Sequence, residues 1–179
     1  MSMQDIPLLL GDALLLFFPA YVANAVPVLL GGGTPIDLGR GFIDGRPIFG
    51  RNKTVRGFLS GIAVGSLAGT ALFACLPAWP AQRAALRALL LSLGAMIGDL
   101  CGSFVKRRLG RSPGSPLFPL DQLGFVIGAT ALLAPVYLPP IETIGTILVV
   151  TPPIHMATNK LACLLGVRSR SSPRACTGR

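Results

Sequence analysis

The chain has 179 residues, of which 51% are hydrophobic and only 13% charged; its mean hydropathy is +0.66 and its formal net charge +9. A soluble domain carries about 25% charged residues, so this composition excludes one and indicates an integral membrane protein. The positive charge does not make it a nucleic-acid binder, because the bases are divided among loops between apolar runs with few aromatics interleaved to stack on.

Five apolar runs approach the length of about 20 residues that a membrane helix needs. They cover roughly 6–30, 58–78, 86–105, 122–138 and 141–167, and the fourth is at the lower limit. The first has no basic leading region and no clear small-residue cleavage site, so it reads as a span and not as a removed signal peptide. It contains Asp12, Pro19 and Pro27. The second carries Gly61, Gly65 and Gly69 at four-residue spacing, a face for close helix packing. A turn at 77–82 places Trp79 at an interface, and Pro139-Pro140 makes the next outer turn sharp. Pro152-Pro153 is expected to interrupt the fifth run, just before His155, Asn159 and Lys160. Broken backbone at membrane depth is expected only where it is buried or lines a cavity. The four cysteines form no CxxC pair and read as packing residues. Residues 1–167 read as one polytopic domain, and 168–179 as a flexible basic tail drawn to anionic head groups.

Fourteen of the 16 Lys and Arg fall in the loop at 31–57, the loop at 106–120 and the C-terminal stretch. The positive-inside rule puts these in the cytoplasm. The expected architecture is therefore an all-α integral membrane protein of about five transmembrane helices, N-terminus outside and C-terminus cytoplasmic, with two polar cytoplasmic loops.

Asp99 lies inside an apolar run, where an acid costs about 2.5–3.5 kcal/mol at a bilayer centre. On a helix Ser103 falls about 40° from Asp99 and Lys106 about 20° to the other side. Carboxylate, hydroxyl and ammonium thus form one stripe rising toward water, suited to metal and phosphate; a helix-packing acid paired with a base is the plainer alternative. Asp121 opens the fourth run at similar depth and reads either as a second carboxylate for Mg²⁺ or as a helix-capping acid. The first loop combines Asp37, Asp44, five bases and several glycines, then Lys53-Thr54-Val55-Arg56-Gly57 leading into a helix. Glycine backbone, basic side chains and a helix N-terminus suit an anion. An ordinary positive-inside loop would need the bases but not this density of Gly, Asp and Thr.

The stretch 98–121 resembles the signature of the CDP-diacylglycerol synthase family of membrane cytidylyltransferases. It has Gly98-Asp99, Ser103, Lys106-Arg107, Gly110 and Gly114, Pro116 and Pro119, then Leu120-Asp121. It departs at Gly102, where a Glu is common, at Gln122, where an Arg is usual, and in lacking a His-Gly-Gly element before Asp121. The rest of the chain is similar to the archaeal branch of that family, the CDP-archaeol synthases. The matching features are Pro35-Ile36-Asp37-x-Gly39, Asp44-Gly45-Arg46, Lys53-Thr54-x-Arg56-Gly57 and His155-x-x-x-Asn159. The departures then look like branch differences.

The resemblance implies a reaction of CTP with an isoprenoid lipid phosphate, a geranylgeranyl diether of glycerol 1-phosphate, giving a CDP-lipid and pyrophosphate. It implies Mg²⁺ on Asp99 and Asp121, with Ser103, Lys106 and Arg107 on metal or phosphate. Lys53, Thr54, Arg56, Asp37 and Asp44 would hold the nucleotide, and His155 and Asn159 the lipid or phosphate side. Two unit charges 4 Å apart repel by about 4 kcal/mol at an effective dielectric of 20, so metal and bases must offset the approach of two anions. The alternatives are a CDP-alcohol phosphatidyltransferase, for which Asp44-Gly45-Arg46 lacks the downstream acidic pair, and a small transporter or channel using Asp12 and Asp99.

Overall fold

The computed structural model describes residues 5–76, 81–112, 115 and 117–164. Apolar runs with their backbone bonds closed internally form five α-helices: α1 (Asp5–Leu30), α2 (Val55–Ala74), α3 (Ala81–Arg108), α4 (Leu120–Leu133) and α5 (Ile141–Leu164). Among the described residues there is no strand, only two isolated bridges in the loop between α1 and α2. Four helices, α1, α2, α3 and α5, are long and apolar enough to cross a membrane. Outward-facing Leu59, Leu67, Leu89, Ile97, Ile127 and Val149 are exposed, as lipid-facing residues are.

The element boundaries differ from expectation for local reasons. The second helix starts earlier than the run at 58–78, because Thr54 caps it: the Thr54 hydroxyl accepts the Gly57 N–H at 3.2 Å. The third extends beyond 86–105 to 28 residues, about 42 Å at 1.5 Å per residue, so its basic last turn passes the hydrocarbon edge. The fourth falls short of the expected span. It has 14 residues, about 21 Å against a hydrocarbon core of about 30 Å. It stops at Pro135, which has no N–H to continue the ladder, although Ala134 before it is still helical (φ −49°, ψ −39°) and donates to the Thr130 carbonyl.

The expected interruption at Pro152-Pro153 is absent. Both prolines lie inside a continuous α5. Proline's fixed φ is close to helical, and each ring removes only one ladder bond while the bonds on either side persist. The Thr151 hydroxyl anchors this stretch, donating to the Ile147 carbonyl at 2.5 Å and meeting the Tyr21 hydroxyl of α1 at 2.7 Å. Cys75 and Cys101 are free, but Cys163 is disulfide-bonded, so the reading of all cysteines as packing thiols does not hold there. Trp79, Gly114, Pro116, the tail at 168–179 and the Asn159 side chain lie outside what the structure describes.

α3 is the central helix, packed against α1, α2 and α4, while α5 rests on α1 and α4. Phe17, Phe73, Leu91, Phe125, Leu133 and Ile147 fill the core between them. The expected glycine face of α2 is present: Gly61, Gly65 and Gly69 are buried against Ala23 and Pro19 of α1 and against Met96, Ser92 and Ala88 of α3.

Candidate active site

A seam without side chains sets the position of Asp99. Gly94 and Gly98 of α3 press directly on Gly128 and Gly124 of α4. A Cβ built on Gly98 would stand 2.2 Å from the Gly124 carbonyl oxygen, and one on Gly128 would stand 2.3 Å from that of Gly94. Backbones this close admit only glycine. With Gly98 turned to α4, Asp99 one position on is rotated by about 100° and faces α1, α2 and the loop between them. There it lines a small cavity of about 40 Å³ with Pro27, Asn52, Lys53, Thr54 and Met96. This has room for a few waters and not for a nucleotide.

The first loop folds around Asp37. Its carboxylate accepts the backbone N–H groups of Gly50 (2.8 Å), Phe49 (3.0 Å) and Gly39 (3.1 Å), and the residue is only 6% exposed. Burial works to raise the Asp37 pKa, but the three N–H donors outweigh it and hold the carboxyl below its ordinary range. Ile36 donates its N–H to the Lys53 carbonyl at 2.8 Å, and Val55 to Thr34 at 3.0 Å, closing the loop's base. Thr54 also accepts the Gly32 N–H at 3.2 Å, tying both ends of the loop together. The result carries Lys53 onto α3, where its ammonium pairs with the Asp99 carboxylate.

A second charge cluster sits at the basic C-terminal end of α3. Lys106 bridges both carboxylate oxygens of Asp121 at 2.8 and 3.0 Å, and Asp121 also accepts the Leu117 N–H at 2.9 Å. Ser103 is 7% exposed, between Asp99 and Lys106 on the helix. Arg107 is 3% exposed, yet its Nε and Nη1 find no hydrogen-bond partner among the described residues. The buried Gln122 side-chain oxygen is likewise unpartnered. A buried guanidinium left with free donors is costly, and an anion is the group that would satisfy it.

The structure therefore brings Lys53, Thr54 and Asp99 to one cavity, and Lys106 together with Asp121 at the meeting of α3 and α4. Asp37 and Asp44 instead shape the first loop. Arg56 is exposed on the first turn of α2. His155 sits on α5, which contributes no side chain to the cavity. Sequence reasoning passed over Asn52, Arg108 and the paired Gly94-x-x-x-Gly98 and Gly124-x-x-x-Gly128 motifs; the last were legible as small-xxx-small spacing.

The family described as CarS-like CDP-archaeol synthase matches residues 6–171. The chain belongs to the CDP-archaeol synthase family. A CDP-archaeol synthase of Pyrococcus furiosus is 50% identical over 84% of this chain and 91% of its own length. One of Archaeoglobus fulgidus is 41% identical over 86% and 92%. A solved structure described as an intramembrane enzyme for archaeal membrane lipids biosynthesis superposes with a TM-score of 0.77 at 39% identity, covering 84% of this chain and 94% of that one. This chain is thus a multi-pass membrane enzyme, a nucleotidyltransferase of the CDP-archaeol synthase type. That membership decides against the phosphatidyltransferase and transporter alternatives.

Proposed function

We propose that the enzyme transfers a cytidylyl group from CTP to an isoprenoid diether phosphate in the membrane. An oxygen of the lipid phosphate attacks the α-phosphorus of CTP, the bond to the bridging oxygen breaks, and pyrophosphate leaves with that electron pair. No protein nucleophile is required, because the lipid phosphate is one. The chemistry is positioning and charge neutralisation.

The observation that carries this reading is the pairing of Lys53 with Asp99 across the cavity between the first loop and α3. It puts the phosphate-loop lysine and the intramembrane carboxylate at one place. Among the described residues no group of three or more His, Cys, Asp and Glu is arranged to hold a metal ion. The donor set still fits Mg²⁺, which usually takes one or two carboxylates and completes its shell with water and substrate phosphate oxygens. Asp99 and Asp121 would hold it, and it would neutralise charge on the triphosphate. Each carboxylate has a lysine as counter-ion, and Lys53 and Lys106 would be available to phosphate if another cation held the carboxylates. Arg107 offers its two unpartnered donors to the phosphates, and Ser103 lies within the same stripe. Thr54, capping α2, holds the loop so that the helix N-terminus and Arg56 face the nucleotide. Asp37 and Asp44 serve the nucleotide through loop shape. His155 and Asn159, on the separate α5, belong to the lipid side. The positive-inside rule supports a cytoplasmic location for this end of the bundle, with the N-terminus outside, and residues 1–167 are read as one catalytic domain bearing a basic tail.

The test is pyrophosphate release by purified protein in detergent with CTP, Mg²⁺ and a geranylgeranyl diether of glycerol 1-phosphate. Release that requires all three, with a CDP-lipid formed, supports the reading. Release without the lipid phosphate, or none with any lipid phosphate, overturns it.

A further inference from the structure

Arg108, the last residue of α3, belongs to neither charge cluster, yet it holds more of the first loop than any residue of those clusters outside the loop. Its Nη1 pairs with the Asp44 carboxylate. Its Nη2 donates to the carbonyl oxygens of Pro47 at 2.6 Å and Arg46 at 3.3 Å. The guanidinium also lies 4.7 Å from the ring centre of Phe42 and 5.0 Å from that of Phe104. In return Arg46 donates from Nη1 to the Arg108 carbonyl at 2.5 Å. Phe42 and Phe49 stand edge-on to Phe104 at 5.3 and 6.5 Å.

The loop segment so gripped is itself a closed turn. Phe42 donates its N–H to the Arg46 carbonyl at 2.7 Å, Gly45 donates to Phe42 at 2.9 Å, and the Asp44 carboxylate accepts the Arg46 N–H at 3.1 Å. Gly45 has a φ of 72°, a backbone conformation that favours glycine. Burial works to raise the Asp44 pKa, but the Arg46 N–H and the Arg108 charge and hydrogen bond together outweigh it and hold it below its ordinary range, so the carboxylate is ionised for the clasp.

The first loop therefore touches α3 at two places, Lys53 on Asp99 and the turn at 42–47 on Phe104 and Arg108. These lie nine residues apart, about 13 Å along the helix. A loop pinned at one point can slide or lift, whereas a loop pinned at two has a fixed register. We propose that Arg108 is a positioning residue that sets the first loop in register along α3, so that Lys53 and Thr54 meet the nucleotide beside Asp99. This rests on the function proposed above. The Nη1 and Nη2 groups are already engaged with the loop, and Nε alone has no hydrogen-bond partner among the described residues, so the fork serves the loop before substrate arrives. Lysine cannot replace it: a compact ammonium has no flat face for two rings and no rigid fork for a carboxylate and two carbonyls.

The experiment compares wild type, Arg108→Gln, Arg108→Lys and Phe42→Ala as purified full chains, with two readouts. One is amide hydrogen exchange of residues 39–50 without nucleotide; the other is kcat and KM for CTP. Expected for both Arg108 variants are faster exchange in that segment and a KM raised about tenfold with kcat within about twofold. Phe42→Ala, which leaves α3 intact, moves both readouts the same way by less and keeps the test alive if an Arg108 variant does not fold. A raised KM with unchanged exchange would mean that Arg108 binds substrate directly and overturns the proposal. Faster exchange with unchanged KM overturns it too, since the register would not matter, and so does full rescue by lysine. A wild type that shows no turnover of CTP counts against the function proposed above, while the exchange readout still decides whether Arg108 holds the loop.

Discussion

Asp99 stands where two differently built regions meet. On one side is the α3–α4 seam, where Gly94, Gly98, Gly124 and Gly128 bring backbone against backbone with no adjustable part. On the other is the first loop, held by Asp37, Thr54, Lys53 and the Arg108 clasp through hydrogen bonds and charge. The seam sets the depth of the carboxylate and has no room for an added atom at Gly94, Gly98 or Gly128. The loop sets what faces the carboxylate, through contacts that depend on charge and hydrogen bonding.

The largest effect is expected on the rigid side. Gly98→Leu puts a side chain into the Gly124 carbonyl, and no folded, monodisperse protein should be recovered on size-exclusion chromatography in detergent. Recovery with wild-type thermal stability would show the seam to be adjustable after all. Next comes the carboxylate between the two regions: Asp99→Asn should lower turnover by about a hundredfold or more while helix content by circular dichroism is unchanged. Near-normal turnover would remove Asp99 from the site.

A smaller effect is expected within the loop. Because Asp37 holds its proton less tightly in the folded loop than in a free chain, its stabilisation is full above about pH 4, the free-carboxylate value, and is lost as pH falls through the lower folded value. Limited pepsin digestion, normalised to an unfolded control, should show the wild-type loop opening below that range, and Asp37→Asn opening it at every pH tested. A loop whose cleavage ignores both would not depend on Asp37. The smallest change should come from a glycine outside either region. Gly145 has open space where a Cβ would stand, so Gly145→Ala should leave stability within about 0.5 kcal/mol of wild type. A large loss there would mean that something else packs on that face of α5.

The helical membrane character, the stripe of Asp99, Ser103 and Lys106, and the basic, glycine-rich character of the first loop were all legible in the chain. They depend on local quantities: length of apolar run, 100° spacing and residue type. The boundaries were less so. Pro135 cut the fourth helix to 14 residues, and Pro152-Pro153 failed to break the fifth, because the same residue ends a helix or is absorbed by it according to what lies around it. Loop composition and the family resemblance made Asp37 and Asp44 candidates for the nucleotide, but could not show that Asp37 collects its own loop's N–H groups or that Asp44 pairs with Arg108.

By itself, then, the sequence determined that this is a helical membrane protein with its charged residues gathered at the loop-bearing end, because burial of apolar runs and helical periodicity are properties of neighbouring residues. Only the tertiary structure decided the pairings: Lys53 with Asp99 across 46 residues of chain, Lys106 with Asp121, and Arg108 with the turn at 42–47. Such contacts arise where the glycine seams bring helices close enough to set one element's charge against another's, and no local pattern encodes that geometry.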